Sequence, residues 1–226
     1  MKLTFYGHSC FLLETSNSKI LFDPFISGNE LAKHIDVQKI DADFIVQSHG
    51  HFDHIADLVP MAKRTNAVVV GSWELTEWVK KHGIEKTHPM NIGGSWNFKF
   101  GKLKMVFAAH SNSLSDGSYG GVAAGFLLDC DGKRVYYAGD TALHSDMKLI
   151  GEFWRPDIAI LPIGDNFTMD VDDAIIAADF IQCKEIIGMH FDTFGYIKIN
   201  HEEAVRKFAL RNKSLHLMSI GSTIDV

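Results

Sequence analysis

The chain has 226 residues, 46% hydrophobic and 22% charged, with 22 Lys and Arg against 28 Asp and Glu and a formal charge of −6. That balance excludes a disordered chain, and it disfavours a nucleic-acid partner bound through a broad basic face. No apolar run reaches the roughly 18 residues of a membrane helix, and the polar start Met1–His8 lacks a signal peptide, so the expectation is a cytoplasmic protein with no membrane partner.

In chain order, Leu3–Tyr6, Phe11–Glu14 and Lys19–Asp23 read as short strands, each closed by a turn cluster, and Phe44–Val46 as a compact buried strand. Ile55–Lys63 reads as one helix and Ala67–Val70 as another buried strand. Ser72 then caps a helix carrying Leu75, Trp78, Val79 and His82 at helical spacing, stopped by Gly83. The second half restarts with strands Leu103–Ala108, Gly125–Asp129 and Arg134–Tyr137, the last two joined through the hairpin signal Asp131-Gly132. Asp157–Leu161 and Glu185–Met189 are further strands. Between them lies a helix capped by Asp170, with Ala174, Ala177, Ala178 and Ile181 on one face. A final helix starts at Asn200, with Glu203 completing a capping box and Val205, Phe208 and Ala209 facing inward, and Leu215–Met218 adds a last strand. Antiparallel strands followed by strand–helix alternation, twice over, predict a layered α/β or α+β domain spanning 1–226, with helices covering sheets. Cys10, Cys130 and Cys183 are widely spaced, odd in number and without a CxxC pair, and read as buried small hydrophobes.

The chemistry gathers in His49-Gly50-His51-Phe52-Asp53-His54, three imidazoles and a carboxylate in six residues directly after the buried strand Phe44–Val46. Imidazole and carboxylate are natural ligands of zinc and its neighbours, and a strand-to-helix junction lets side chains leave strand alternation and converge. Gly50 supplies space and backbone freedom there. Three more donors stand just past predicted strands: His110, Asp140 in Gly139-Asp140-Thr141, and His190. The carboxyl ends of strands are where open sheets collect active groups. No G-x-S-x-G elbow, Cys–His pairing or P-loop offers a protein nucleophile or a phosphate cradle.

H-x-H-x-D-H, then His, then Gly-Asp-Thr, then a late His resembles the metallo-β-lactamase superfamily in order and spacing from Met1 to about Phe194. Gly7-His8-Ser9, Leu21-Phe22-Asp23-Pro24, Leu161-Pro162-Ile163-Gly164 and Met189-His190-Phe191-Asp192-Thr193-Phe194 narrow it. With these, the chain is similar to the UPF0173 metal-dependent hydrolases, near the ascorbate-6-phosphate lactonase-like proteins. The resemblance implies an αββα sandwich with two divalent cations at the edge between the sheets. One would be held by His49, His51 and His110 and the other by Asp53, His54 and His190, with Asp140 bridging. Zn²⁺ is the first expectation for the metal and Mn²⁺ the alternative. The implied activity is hydrolysis of a small ester, lactone or phosphodiester by hydroxide formed on two cations about 3.5–4 Å apart, with Asp53 orienting it. His51 stands where diiron redox members of the superfamily place Glu. A non-catalytic metal-binding protein and a nuclease-type phosphodiesterase are the alternative readings. Asp165 replaces a Gly usual in the group, Phe191 a common Tyr, and His144 is not expected four residues after Asp140. His8, His144 and Asp192 are candidates for a place behind the ligands or facing the substrate, Asp192 by orienting His190 and His144 as a proton donor to the leaving group. Phe167, Met169 and Phe194 are candidates for an apolar pocket wall.

Overall fold

The computed structural model describes residues 1–226. The first half opens with β1 (Lys2–Gly7), β2 (Cys10–Glu14) and β3 (Lys19–Phe22), an antiparallel meander registered Lys2 with Glu14 and Phe11 with Phe22. Parallel pairing takes over with β4 (Phe44–Val46), β5 (Val68–Ser72) and β6 (Thr87–Met90). Helices α1 (Phe52–Ile55), α2 (Leu58–Thr65) and α3 (Trp73–Lys81) lie in the crossovers that parallel pairing demands. The second half repeats the plan. The strands β7 (Ser95–Phe98), β8 (Gly101–Phe107), β9 (Ala124–Cys130) and β10 (Lys133–Tyr137) are antiparallel. They are followed by α4 (Met147–Phe153), β11 (Ile158–Pro162), α5 (Val171–Phe180), β12 (Glu185–Met189), α6 (His201–Ala209) and β13 (Ser214–His216), whose strands pair in parallel. Last, β14 (Thr223–Asp225) returns to the free edge of β1, giving sheets ordered β14-β1-β2-β3-β4-β5-β6 and β13-β12-β11-β10-β9-β8-β7.

Strand alternation decides the layers. Leu3, Phe5, Phe11, Leu13, Ile20, Phe22, Val46 and Val70 fill the core between the sheets, while Cys10, Leu12, Leu21, Ile45 and Val69 face the other way onto Met61, Ala62, Leu75 and Val79 of α2 and α3. On the far side, α4, α5 and α6 bury Ile150, Ala174, Ala178 and Phe208 against the second sheet. The result is the expected αββα order. The expected caps form: Ser72, Asp170 and Asn200 accept from the backbone N–H of Leu75, Asp173 and Glu203 at 3.2, 2.7 and 3.1 Å. All three cysteines are buried and free, and no helix is long and apolar enough to cross a membrane.

Some expectations fail locally. The helix read as Ile55–Lys63 is two, broken at Asp57, whose carboxylate leaves the helical register to accept from the N–H groups of Ile26 (2.6 Å) and Ser27 (2.9 Å) and from the Ser27 hydroxyl. On α6 only Ala204 and Phe208 are buried, with Val205 and Ala209 on the outer face, because the inward stripe is narrower than expected. The last predicted strand, Leu215–Met218, is shorter and displaced to Ser214–His216.

Candidate metal centre

The four loops that carry the predicted donors leave the two sheets at one edge. After β4, Gln47 holds the loop in shape, donating its side-chain amide to the carbonyls of His49 (2.9 Å) and His54 (3.2 Å). Gly50 is needed for space rather than for backbone freedom: a Cβ would lie 2.7 Å from Leu114 and 3.0 Å from the Ser113 carbonyl. The loop after β10 turns at Gly139 (φ +62°), where a Cβ would meet the Ala124 carbonyl at 2.4 Å. Thr141 Oγ1 accepts from the Ala109 N–H (3.0 Å), tying the Asp140 loop to the segment that carries His110. Gly139→Ala therefore meets both left-handed strain and backbone overlap. A loss of about 2–4 kcal/mol in unfolding free energy is expected, read by denaturant titration.

Asp140 Oδ2 sits at the centre, 2.9 Å from Nε2 of His190, 3.3 Å from His54, 3.6 Å from His110 and 4.0 Å from His49. The donor atoms of His49, His51 and His110 lie within 4.8 Å of one another. Those of Asp53, His54, His190 and His8 form a second such group. Asp53 Oδ2 is 3.8 Å from His190 Nε2 and 3.1 Å from His8 Nε2. His8, Asp23 and His190 all adopt left-handed φ (55°, 41° and 56°). Such strain persists only where surrounding contacts enforce it, and here the His190 N–H donates to the His8 carbonyl at 2.8 Å.

Asp23, fully buried, is the orienting group that sequence reading passed over. Its Oδ1 accepts from the Ser48 N–H (2.7 Å), and its Oδ2 accepts from the Ser48 hydroxyl (2.5 Å), His54 Nδ1 (2.8 Å) and the Tyr137 hydroxyl (2.7 Å). A carboxylate only accepts, so His54 carries its proton on Nδ1. The Ser48 proton is spent on Asp23, so Ser48 Oγ accepts from His49 Nδ1 (2.9 Å). Both rings thus turn Nε2 inward, where it can bind a cation when unprotonated. His54 Nε2 makes no hydrogen bond although it faces the Asp140 carboxylate. A positive charge, either a proton on this nitrogen or a bound cation, must lie between the two, and the arrangement suits a cation site. The donor set fits a divalent metal bound through nitrogen and oxygen.

Electrostatics agree. Burial holds His49, His51 and His110 below the ordinary imidazole range, so these are neutral lone-pair donors. Burial, then His190, pushes His8 down to about 4. Burial opposes the charge on Asp140 and Asp53. For Asp140 the surrounding imidazoles of His190 and His54 outweigh it, and for Asp53 the hydrogen bond from His8 does, so both carboxyls stay well below the usual range. Burial also opposes charge on His54, but Asp140 and Asp23 draw positive charge to that ring and raise it. Two candidates lie elsewhere. Asp192 does not touch the His190 ring: its carboxylate accepts from the Ile199 N–H (3.1 Å) and pairs with His201 Nε2 (2.6 Å), because its own left-handed φ of 63° turns it outward. His144 packs edge-on against Phe107 and lines a separate, mostly apolar cavity with Leu149, Phe153 and Trp154, so it does not face the cluster. Phe167 and Phe194 line the cavity above the cluster, whereas Met169 is fully buried in the hydrophobic core. Asp165 has φ +66°, which explains the Gly usual there.

The β-lactamase superfamily domain model matches residues 2–190. A UPF0173 metal-dependent hydrolase of Flavobacterium johnsoniae is 53% identical over the full length of both chains. The chain belongs to the UPF0173 metal-dependent hydrolases of the metallo-β-lactamase superfamily. A Bacillus cereus relative of the same name is 44% identical over the full length of both. The solved structure of Igni18, a metallo hydrolase of Ignicoccus hospitalis, superposes with a TM-score of 0.89 at 32% identity, covering 99% of this chain and 97% of that one. In this UPF0173 hydrolase, Asp23→Asn replaces an acceptor by an amide in a nest of donors. Metal affinity is expected to fall about 10–100-fold, measured by competition with a chromophoric chelator.

Proposed function

We propose that this hydrolase holds two divalent cations, Zn²⁺ or alternatively Mn²⁺, and cleaves a small ester, lactone or phosphodiester. The chain, residues 1–226, is read as a single hydrolase domain, because both sheets contribute donors to one site. His49, His51 and His110 would hold one ion and Asp53, His54 and His190 the other, with Asp140 shared. The observation that supports this most directly is the central Asp140 Oδ2, within 4.0 Å of imidazole nitrogens from both groups. When bound, paired divalent cations acidify a shared water and polarise the substrate oxygen.

The chain's own groups supply orientation and proton handling. Asp53 is the carboxylate of the cluster that solvent reaches, its side chain 23% exposed against 2% for Asp140. Its carboxylate, held ionised by the His8 hydrogen bond, is placed to accept a hydrogen bond from the attacking water and to draw off its proton in passing. His8 Nε2–H donates to Asp53 Oδ2, and His8 Nδ1 lies 3.0 Å from Thr193 Oγ1, so the carboxylate cannot swing away. The cavity above holds about 780 Å³, enough for a small molecule, and Asp53, His51 and His110 are among the residues that line it.

Chelation is the direct test. Activity on a panel of simple esters, lactones and phosphodiesters is expected to disappear with a strong chelator and return with Zn²⁺ or Mn²⁺ at two ions per chain. Full turnover by metal-free protein would overturn the reading, as would saturation at a single ion.

A further inference from the structure

Resting on the hydrolytic reading above, the structure assigns a substrate class: we infer that the part of the substrate beside the scissile bond is uncharged, flat and apolar, with an aromatic ring as its simplest form. The rim of the cavity over the metal centre is built from four aromatic side chains left in water: Phe52 (63% exposed), Phe167 (49%), Phe194 (37%) and Tyr196 (79%). Phe52 comes from α1 beside the first sheet, and the others from the loops after β11 and β12 of the second. Single exposed apolar residues are ordinary, but four rings converging on one cavity form a patch, and such patches mark binding surfaces.

The rings are held rather than loose. Phe25, buried at 1%, packs edge-on against Phe52 (5.8 Å between centroids) and lies 6.4 Å from Phe194. Phe194 also meets His8 edge-on at 5.5 Å, and Phe167 meets Tyr196 at 6.4 Å. Phe194 is thereby registered to the histidine that braces Asp53. A ring stacked on it would lie beside the reacting atoms, and rings gain from stacked and edge-on geometries beyond simple burial.

Charge points the same way. No Lys or Arg lines the cavity, and its remaining side-chain polar groups beyond the cluster are the neutral hydroxyls of Ser111, Thr193 and Tyr196. The reacting oxygen can be neutralised at the cluster floor. A second anionic group further out would meet aromatic faces, whose π-electrons repel it, and would lose water without gaining a cationic partner. Substrates that carry a phosphate or carboxylate away from the scissile bond are therefore disfavoured, and a neutral aryl or similar flat group is preferred.

Two measurements test this on the metal-loaded protein. The first compares kcat/KM for 4-nitrophenyl phenylacetate and 4-nitrophenyl hydrogen glutarate, which share a leaving group and differ in a neutral ring against a carboxylate. The second, independent of turnover, reads binding of uncleavable N-benzylacetamide against 4-acetamidobutanoate by saturation-transfer NMR. The ring-bearing member is expected to be favoured by about tenfold in each, and the preference to shrink to within about twofold in Phe194→Ala/Tyr196→Ala. Tyr196→Ala alone, at a largely exposed position, gives a partial loss of the preference without risk to folding. Equal turnover and equal binding of the two members would overturn the inference while leaving the hydrolytic reading standing. So would a preference unchanged in the variants. Selective N-benzylacetamide binding with neither ester cleaved would uphold the ring-binding rim and count against the hydrolytic reading instead.

Discussion

Asp140→Ala is expected to bind one divalent ion per chain instead of two and to lose at least about a hundredfold in turnover, while keeping the fold. The loss should be selective because Asp140 is not part of the scaffold's bonding. Its Oδ1 makes no hydrogen bond, and its Oδ2 faces imidazole nitrogens from three different loops. Removing it deletes a buried negative charge that offsets the mutual repulsion of two dications, so the second ion is the first casualty. The metal-free variant should still fold, since no backbone N–H loses its acceptor, and the local cost is that the His54 and His190 rings lose the carboxylate they face. The difference appears on adding metal, because ligand binding to the native state raises stability only as far as its affinity allows. Thermal unfolding with and without Zn²⁺, beside metal analysis, measures both. Two ions bound with unchanged affinity would show that Asp140 does not bridge.

How far the residues alone could carry the reading depends on what each signal needs. The donors of the centre were legible because they follow strands whose apolar runs are plain: Phe44–Val46 before His49, Arg134–Tyr137 before Asp140, Glu185–Met189 before His190. Two edge strands were not. Thr87–Met90 and Ser95–Phe98 carry Thr, His, Pro, Ser, Trp and Asn with no two-residue alternation, since an edge strand with wet faces needs none. The helix α4 carries a glycine, Gly151, inside it. A Cβ there would lie 2.1 Å from the Phe180 carbonyl, so this glycine records the close approach of α4 to the end of α5. The layer behind the ligands was the least legible. Asp23, Ser48 and Tyr137 lie 25 to 114 positions apart from one another in bonding pairs, on β3, β4 and β10 or just beyond their ends. Only the stacking of two sheets brings them together, and no local spacing announces it. His8 and Asp192 show the same limit in opposite directions: each is a polar residue in a strained turn beside the site, yet one faces the cluster and the other turns away.

The other large effect is expected at Asp53. Asp53→Asn preserves size and can still offer its amide oxygen to His8 Nε2–H, so the contact that braces the residue survives. What disappears is the negative charge, and with it the ability to accept a proton from water at the floor of the cavity. A positioned general base contributes about 10²–10⁴ in rate, so turnover should fall by at least about a hundredfold. KM should change by less than about threefold, because substrate contacts along the cavity wall belong to other residues, and binding lost equally in ground and transition states would appear in KM alone. Metal stoichiometry must be measured in the same samples, because Asp53 is also proposed to hold one of the two ions. At saturating Zn²⁺ the variant is expected to carry two ions, the second bound more weakly than in the parent, and still to turn over slowly. That combination separates a proton-handling role from a ligand role. If the variant regains full turnover once both ions are restored, Asp53 serves the metal alone. Proton acceptance would then have to come from water or from a group of the substrate itself, because burial keeps His8 neutral but both of its ring nitrogens are already engaged, with Asp53 and Thr193.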